Sequence, residues 1–284
     1  MAEENISITI MVDNLSDCGL STEHGMALLI QANGHSIVFD TGQGTALMAN
    51  ADAMQINLAL PEFLVLSHGH YDHTGGIPNL LRVNPDIKML YHQAATVKRY
   101  SIHPGKPVRD ISMPDTVAAT LNNHPGSLRR HVVNPVEICT GVWLTGEIPR
   151  ITPFEDTGGP FFLDTEGKLP DPITDDMALW LETAAGLVIV LGCCHSGLVN
   201  TVEHIRKFSG GKRVRGIIGG MHLLHASTER LEKTCEKLRK WSPDFIIPCH
   251  CTGEASIAFM ISTLGKRVKT GKAGIILPLA VKSD

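Results

Sequence analysis

Five short aliphatic runs in this 284-residue chain each lead into a side chain of a type that can hold a metal ion. Ile37-Val38-Phe39 leads into Asp40, and Phe63-Leu64-Val65-Leu66 into the segment 67–76. Residues 187–191 lead into Cys193, Cys194 and His195, Gly216-Ile217-Ile218 into His222, and Phe245-Ile246-Ile247 into Cys249, His250 and Cys251. Apolar runs this short, bounded by glycine and polar residues, read as buried strands. Open α/β sheets gather their ligands just beyond the C-terminal ends of such strands. A fold for this chain therefore has to bring these strand ends to one place.

The remaining pattern agrees. Residues 6–12 read as a strand, and 25–31 with 36–39 as a hairpin turning on Asn33-Gly34. Helical spacing covers 45–54 through Leu47, Ala51 and Met54, and 72–83 reads as helical before a strand at 88–91. The second half repeats the alternation: strand 187–191, helix 197–207, strand 215–218, helix 228–240, strand 245–248, helix 253–264 and a last strand at 273–277. Strands alternating with helices in both halves define a layered α/β architecture. Between the halves, residues 100–177 are rich in proline and glycine and poor in long apolar runs. They are expected to form a lid inserted in a single domain spanning 1–284, since a long irregular stretch inside a compact domain more often covers a site than links two bodies.

Composition sets the limits on partners. Twenty-five basic residues against 29 acidic ones give a formal charge of −4, which argues against a nucleic-acid groove or an anionic membrane surface. No apolar run approaches the roughly 18 residues of a membrane span, and the first ten residues lack a secretory signal pattern. Seven cysteines, two of them adjacent at Cys193-Cys194, suit reduced thiols and a cytoplasmic location. A small-molecule substrate is expected, and a homo-oligomer is left open.

The densest chemistry is Ser67-His68-Gly69-His70-Tyr71-Asp72-His73-Thr74-Gly75-Gly76. In an extended segment residues two apart project to the same side, so His68 and His70 can grip one ion. Where the chain turns into a helix, Asp72 and His73 project differently and can face a second. His195 and His250 stand at strand ends of the same kind, whereas an Asp40-Thr41-Gly42 turn also has a plain capping explanation. The flanking Cys193, Cys194, Cys249 and Cys251 read as small buried hydrophobes ahead of metal ligands.

The H-x-H-x-D-H run at 68–73, with Asp40, His195 and His250 at their spacings, resembles the metallo-β-lactamase superfamily. That resemblance implies a four-layer αββα sandwich, two mixed sheets flanked by helices. It implies His68, His70 and His195 on one ion, Asp72, His73 and His250 on the other, and Asp40 orienting the ligand loop. Imidazole-rich sites suit one or two zinc ions, though iron, manganese and nickel accept similar ligands. One position departs from the pattern: where an aspartate bridges the two metals, Gly219-Gly220-Met221-His222-Leu223 supplies a histidine. A neutral imidazole has one lone pair to give and cannot bridge as a carboxylate does. His222 is then left to ligate one ion or to act on substrate.

Further motifs, Asp13-Asn14-Leu15, Thr145-Gly146-Glu147-Ile148-Pro149-Arg150 and Asp175-Asp176-Met177 among them, are similar to one branch of that superfamily. The branch holds dihydropterin-methyl-ribofuranosylaminobenzene-phosphate synthases and metal-dependent hydrolases. It implies an enzyme that uses metal-bound hydroxide on a small anionic, phosphorylated substrate, with Asp72 orienting the hydroxide and His222 as proton donor. The alternatives are a synthase joining a phosphoribosyl donor to an aminobenzoate-type acceptor, and a non-catalytic metal or metabolite sensor. Arg150, Glu147 and His24 are the expected substrate-binding residues.

Overall fold

The computed structural model describes residues 6–16 and 18–279. Two sheets face each other. A seven-stranded sheet runs in the order Ile276–Pro278, Ser7–Val12, Ala27–Ala32, His35–Phe39, Phe63–Val65, Lys88–Tyr91 and Arg129–His131. A six-stranded sheet runs Phe245–Cys249, Val214–Gly220, Gly186–Leu191, Ala178–Thr183, Val142–Leu144 and Val136–Cys139. Both are mixed: their antiparallel hairpins continue into parallel strands, as at Phe39 beside Val65 and Leu191 beside Gly219.

The two-residue period of a strand decides the layers. Ile8, Ile10, Leu28 and Ile30 from the first sheet meet Leu179, Leu181, Val188 and Val190 from the second, all fully buried between the sheets. Residues of opposite parity turn outward. Leu29, Val38, Leu64 and Met89 pack under helices Ala46–Ala53, Ile77–Val83 and Asp115–Asn123. Trp180, Leu187, Ile189 and Ile217 pack under Leu198–Phe208, Thr228–Trp241 and Glu254–Leu264. Strands buried on both faces explain the nearly unbroken apolar runs in the sequence. The product is the four-layer αββα sandwich.

Two expectations change in detail. Residues 72–83 form two pieces, Tyr71–Thr74 and Ile77–Val83. They part at Gly75 and Gly76, where the turn after Asp40 leaves no room for a side chain: a Cβ on Gly75 would lie 2.2 Å from the Gln43 carbonyl oxygen, and one on Gly76 2.4 Å from that of Thr41. The last strand is Ile276–Pro278, with Ala273 only bridged to Ser16. The Asn33-Gly34 turn has positive φ at both residues, 53° and 86°, as a two-residue hairpin requires.

Residues 100–177 divide between two roles. Arg129–His131 joins the first sheet, while Val136–Cys139 and Val142–Leu144 join the second. Only the flanking parts cover the site: a small third sheet of Tyr100–Ser101, Arg109–Asp110 and Phe161–Phe162, and the loop that leads into it.

Candidate metal centre

The parallel strands of both sheets finish at a common edge, and the loops beyond them carry the expected ligands. The two edges touch: a Cβ on Gly192 would lie 2.1 Å from Ser67 Oγ, and Met177 N donates to the Ser67 carbonyl at 2.9 Å. Four non-glycine residues in these loops have left-handed backbones, Asp40 at φ 60°, Cys194 at 59°, His222 at 44° and His250 at 46°. Each such conformation costs roughly 1–2 kcal/mol, and strain of this kind is characteristically held at functional sites.

At the centre lie His68, His70 and His195, with ligand atoms within 4.8 Å of one another and rings 4.4–4.9 Å apart. His68 Nε2 is 2.9 Å from His70 Nδ1. The extended backbone at His70, followed at once by a helical turn, aims His68 and His70 together and sends Asp72 and His73 elsewhere.

Hydrogen bonds behind the rings settle which nitrogen faces inward. Ser67 Oγ donates to Asp40 Oδ2 at 2.6 Å, so at 2.9 Å it must accept from His68 Nδ1. His73 Nδ1 donates to Asp40 Oδ2 at 2.7 Å, His195 Nδ1 to the Thr157 carbonyl at 2.7 Å, and His250 Nδ1 to Asn14 Oδ1 at 2.8 Å. In all four rings Nε2 is then left toward the cluster, the arrangement in which outer partners fix a ligand's tautomer and angle. His70 Nε2, His195 Nε2 and His222 Nδ1 are buried without a hydrogen-bond partner. Buried ring nitrogens are costly to leave unpaired, and a cation among them removes that cost. The donor set of imidazoles, one carboxylate and thiols fits a transition-metal ion.

Charge follows burial. Desolvation, helped by the neighbouring imidazoles, holds His68 and His195 well below the usual histidine range; burial does the same to His70. His73 is also buried, but the Asp40 carboxylate outweighs that and pushes it up to about 9. Burial opposes the Asp72 charge, yet the bond from His24 and the nearby imidazoles of His250 and His73 hold the carboxyl well below its ordinary value.

The second group differs in part from the expected Asp72, His73 and His250. Asp72 Oδ2 lies 3.3 Å from His250 Nε2 and 3.2 Å from the Nε2 of His24, and those three form the set. His73 is turned to the middle instead, its Nε2 3.1 Å from Cys193 Sγ and grouped with His68. His222 lies against His195 with ring centroids 4.2 Å apart and the rings inclined by 42°, pinned by Gly158, whose φ is +86° and where an added Cβ would lie 1.9 Å from the His222 ring.

Two of the expected substrate-binding residues are placed elsewhere. Arg150 donates to the carbonyls of His195, Pro172 and Ile173, bracing the loop behind His195. Glu147 is exposed and bonded to His92 Nε2 at 3.0 Å. Neither lines the cavity over the centre, whereas His24 does. That cavity is about 370 Å³, with His70, Asp72, His222 and His250 in its floor. Phe161, Ile111, Leu224 and Ile257 supply apolar wall, Arg109 supplies a cationic group and His103 an imidazole.

Several contributors were not among the expected site residues. Cys193 and Cys251 face the cluster, while Cys194 and Cys249 fill the two cores as small hydrophobes. Asp175 takes Gly69 N at 2.8 Å and is held by Arg99, itself 1% exposed. Asp176 takes Ser196 N at 2.7 Å, and Asp13 takes His250 N at 2.9 Å.

A four-layer sandwich with a histidine-rich centre at the shared sheet edge defines a class. Residues 21–174 match the metallo-beta-lactamase superfamily, and the chain belongs to it. Among its relatives is the 7,8-dihydropterin-6-methyl-4-(beta-D-ribofuranosyl)-aminobenzene-5'-phosphate synthase of Methanocaldococcus jannaschii, 30% identical over 82% of each chain. The uncharacterized protein MJ0448 of the same organism is 32% identical over 87% of this chain and 90% of its own. Among solved structures, Tm1679, a metal-dependent hydrolase of the beta-lactamase superfamily, superimposes with a TM-score of 0.83 at 26% identity, covering 97% of this chain and 100% of that one. Of these relatives the synthase and Tm1679 are named as enzymes, and the superfamily to which this chain belongs is one of enzymes.

Proposed function

We propose that the protein is a zinc-dependent hydrolase acting on a small, phosphorylated organic substrate. The observation that carries this reading is the set of four imidazoles whose Nε2 atoms are all turned inward by partners behind them, beneath a cavity of small-molecule size. His68, His70 and His195 would hold one ion and Asp72 and His250 a second. Such ions supply Lewis acidity, lowering the pKa of water toward 7 and polarising an ester or phosphoryl oxygen.

The chain's own residues do the rest. Asp72, an acceptor at the cavity floor, can orient the attacking water. His222, beside His195 and open to the cavity, is placed to give a proton to a leaving oxygen. Arg109, whose guanidinium lies 5.1 Å over the Tyr71 ring, can pair with a phosphate at the rim. Phe161, its ring 5.3 Å from that of His195, gives an apolar part of the substrate a face to rest on and keeps water from that side.

The test is a panel of phosphate mono- and diesters, esters and thioesters offered to zinc-loaded protein. Turnover of a phosphorylated member, lost in His222→Ala with metal content retained, supports the reading; no turnover anywhere contradicts it. The Methanocaldococcus relative favours a second reading, synthesis of a ribofuranosyl-aminobenzene phosphate in pterin-cofactor formation. Product formation from a phosphoribosyl donor and an aminobenzoate, with an inert hydrolase panel, would select it.

A further inference from the structure

Cys193 stands in the middle of the cluster. Its Sγ lies 3.1 Å from His73 Nε2, and it groups within ligand reach with His68 and His73, with His195 and His222, and with His250 and Cys251. No other side chain among the described residues belongs to three such groups. Around it, His195 Nε2 and His222 Nδ1 are buried and unpaired. Its neighbour Cys194 points the other way, into the helix-side core beside Thr201. Cys251 belongs to one group only, and its Sγ is directed at the Cys193 carbonyl at 3.6 Å.

Charge makes the position meaningful. Two dications set among imidazoles and the single carboxylate of Asp72 repel one another, and an anionic side chain between them offsets that repulsion. His222 cannot supply it, because each imidazole nitrogen has one lone pair. A thiolate sulfur is negative, carries several lone pairs and binds zinc at about 2.3 Å.

We propose that Cys193, as the thiolate, is the ligand shared by two metal ions, taking the bridging place that this chain does not give to a carboxylate. The proposal rests on the metal reading above. On loading, the S–H bond is exchanged for sulfur–metal bonds and one proton leaves to solvent.

Cobalt(II) loading tests it without reference to activity. Wild type and Cys251→Ser should show an intense near-ultraviolet thiolate-to-cobalt band; Cys193→Ser should lack it and bind about one ion in place of about two. If Cys193→Ser does not fold, wild type loaded with cadmium-113 answers alone, with two resonances both displaced downfield by sulfur. A cobalt-loaded wild type without the band, a band or a two-ion stoichiometry that survives Cys193→Ser, or sulfur displacement at one cadmium only would overturn the bridging role. Protein that takes up no metal at all would overturn the metal reading itself.

Discussion

Asp40 Oδ2 and His73 Nδ1 are 2.7 Å apart, and both side chains are wholly buried. The same carboxylate takes Ser67 N at 2.7 Å and Ser67 Oγ at 2.6 Å, and Ser67 in turn takes His68 Nδ1. One residue thus sets the tautomers of two imidazoles. Asp40→Asn replaces an acceptor oxygen by an amide nitrogen and removes the charge. Zinc affinity, measured by competition with a chelator, should fall about 10–100-fold; an unchanged affinity would show that Asp40 does no more than cap a turn.

The metal-free protein should be most stable near neutrality. His68, His70 and His195 are held below the unfolded value of 6.5. Below pH 6.5 the unfolded chain binds protons that the folded one refuses, so stability falls as the pH drops. His73 acts oppositely: raised to about 9, it contributes fully below 6.5 and its contribution is lost as the pH climbs through 9. Urea unfolding of chelated protein between pH 5 and pH 10 should therefore give a maximum. A monotonic rise across that range would contradict these assignments.

At Gly69 an added Cβ would lie 1.9 Å from the Ala95 carbonyl oxygen, a backbone atom with no room to yield. Gly69→Ala should cost at least about 2 kcal/mol in denaturant unfolding. Gly126→Ala, with nothing within 4 Å of the added carbon, should stay within about 0.5 kcal/mol. Equal effects would mean that the ligand loop is not held against Ala95 as described.

Substrate contacts separate by the same logic of placement. Arg109 lines the cavity, and Glu147 does not. Arg109→Ala should raise KM for a phosphorylated substrate about tenfold with kcat little changed, the loss of one charged hydrogen bond. Glu147→Gln should leave both constants alone. Steady-state kinetics with the best substrate of the panel decides, and a Glu147 effect as large as that of Arg109 would speak against this cavity as the substrate site.

Much of this was legible in the sequence because it follows one rule. Strands buried on both faces leave aliphatic runs, and the residues just past their C-terminal ends meet at one edge, which exposed Asp40, His68, His195, His222 and His250. The rule looks forward from each strand only. Ala178–Thr183 runs antiparallel to Gly186–Leu191, so its N-terminal end lies at that edge, and Asp175 and Asp176 reach the ligand loops from a strand start. Ser7–Val12 ends there too, and Asp13 and Asn14, the residues that follow it, support His250. The alternation of Cys193 and Cys194 is a local pointing direction fixed by a left-handed backbone at Cys194, and no side-chain pattern announces that. Arg150 looked like an anion binder because its charge is visible in the sequence, while the carbonyls that occupy it are not.

Metal analysis is the most direct check on the account as a whole. Protein purified without added metal, and His68→Ala/His70→Ala treated alike, would be measured by atomic emission alongside circular dichroism. Wild type should carry close to stoichiometric transition metal, and the double variant should be folded and essentially metal-free. A folded double variant that keeps its full metal content would contradict the centre described above.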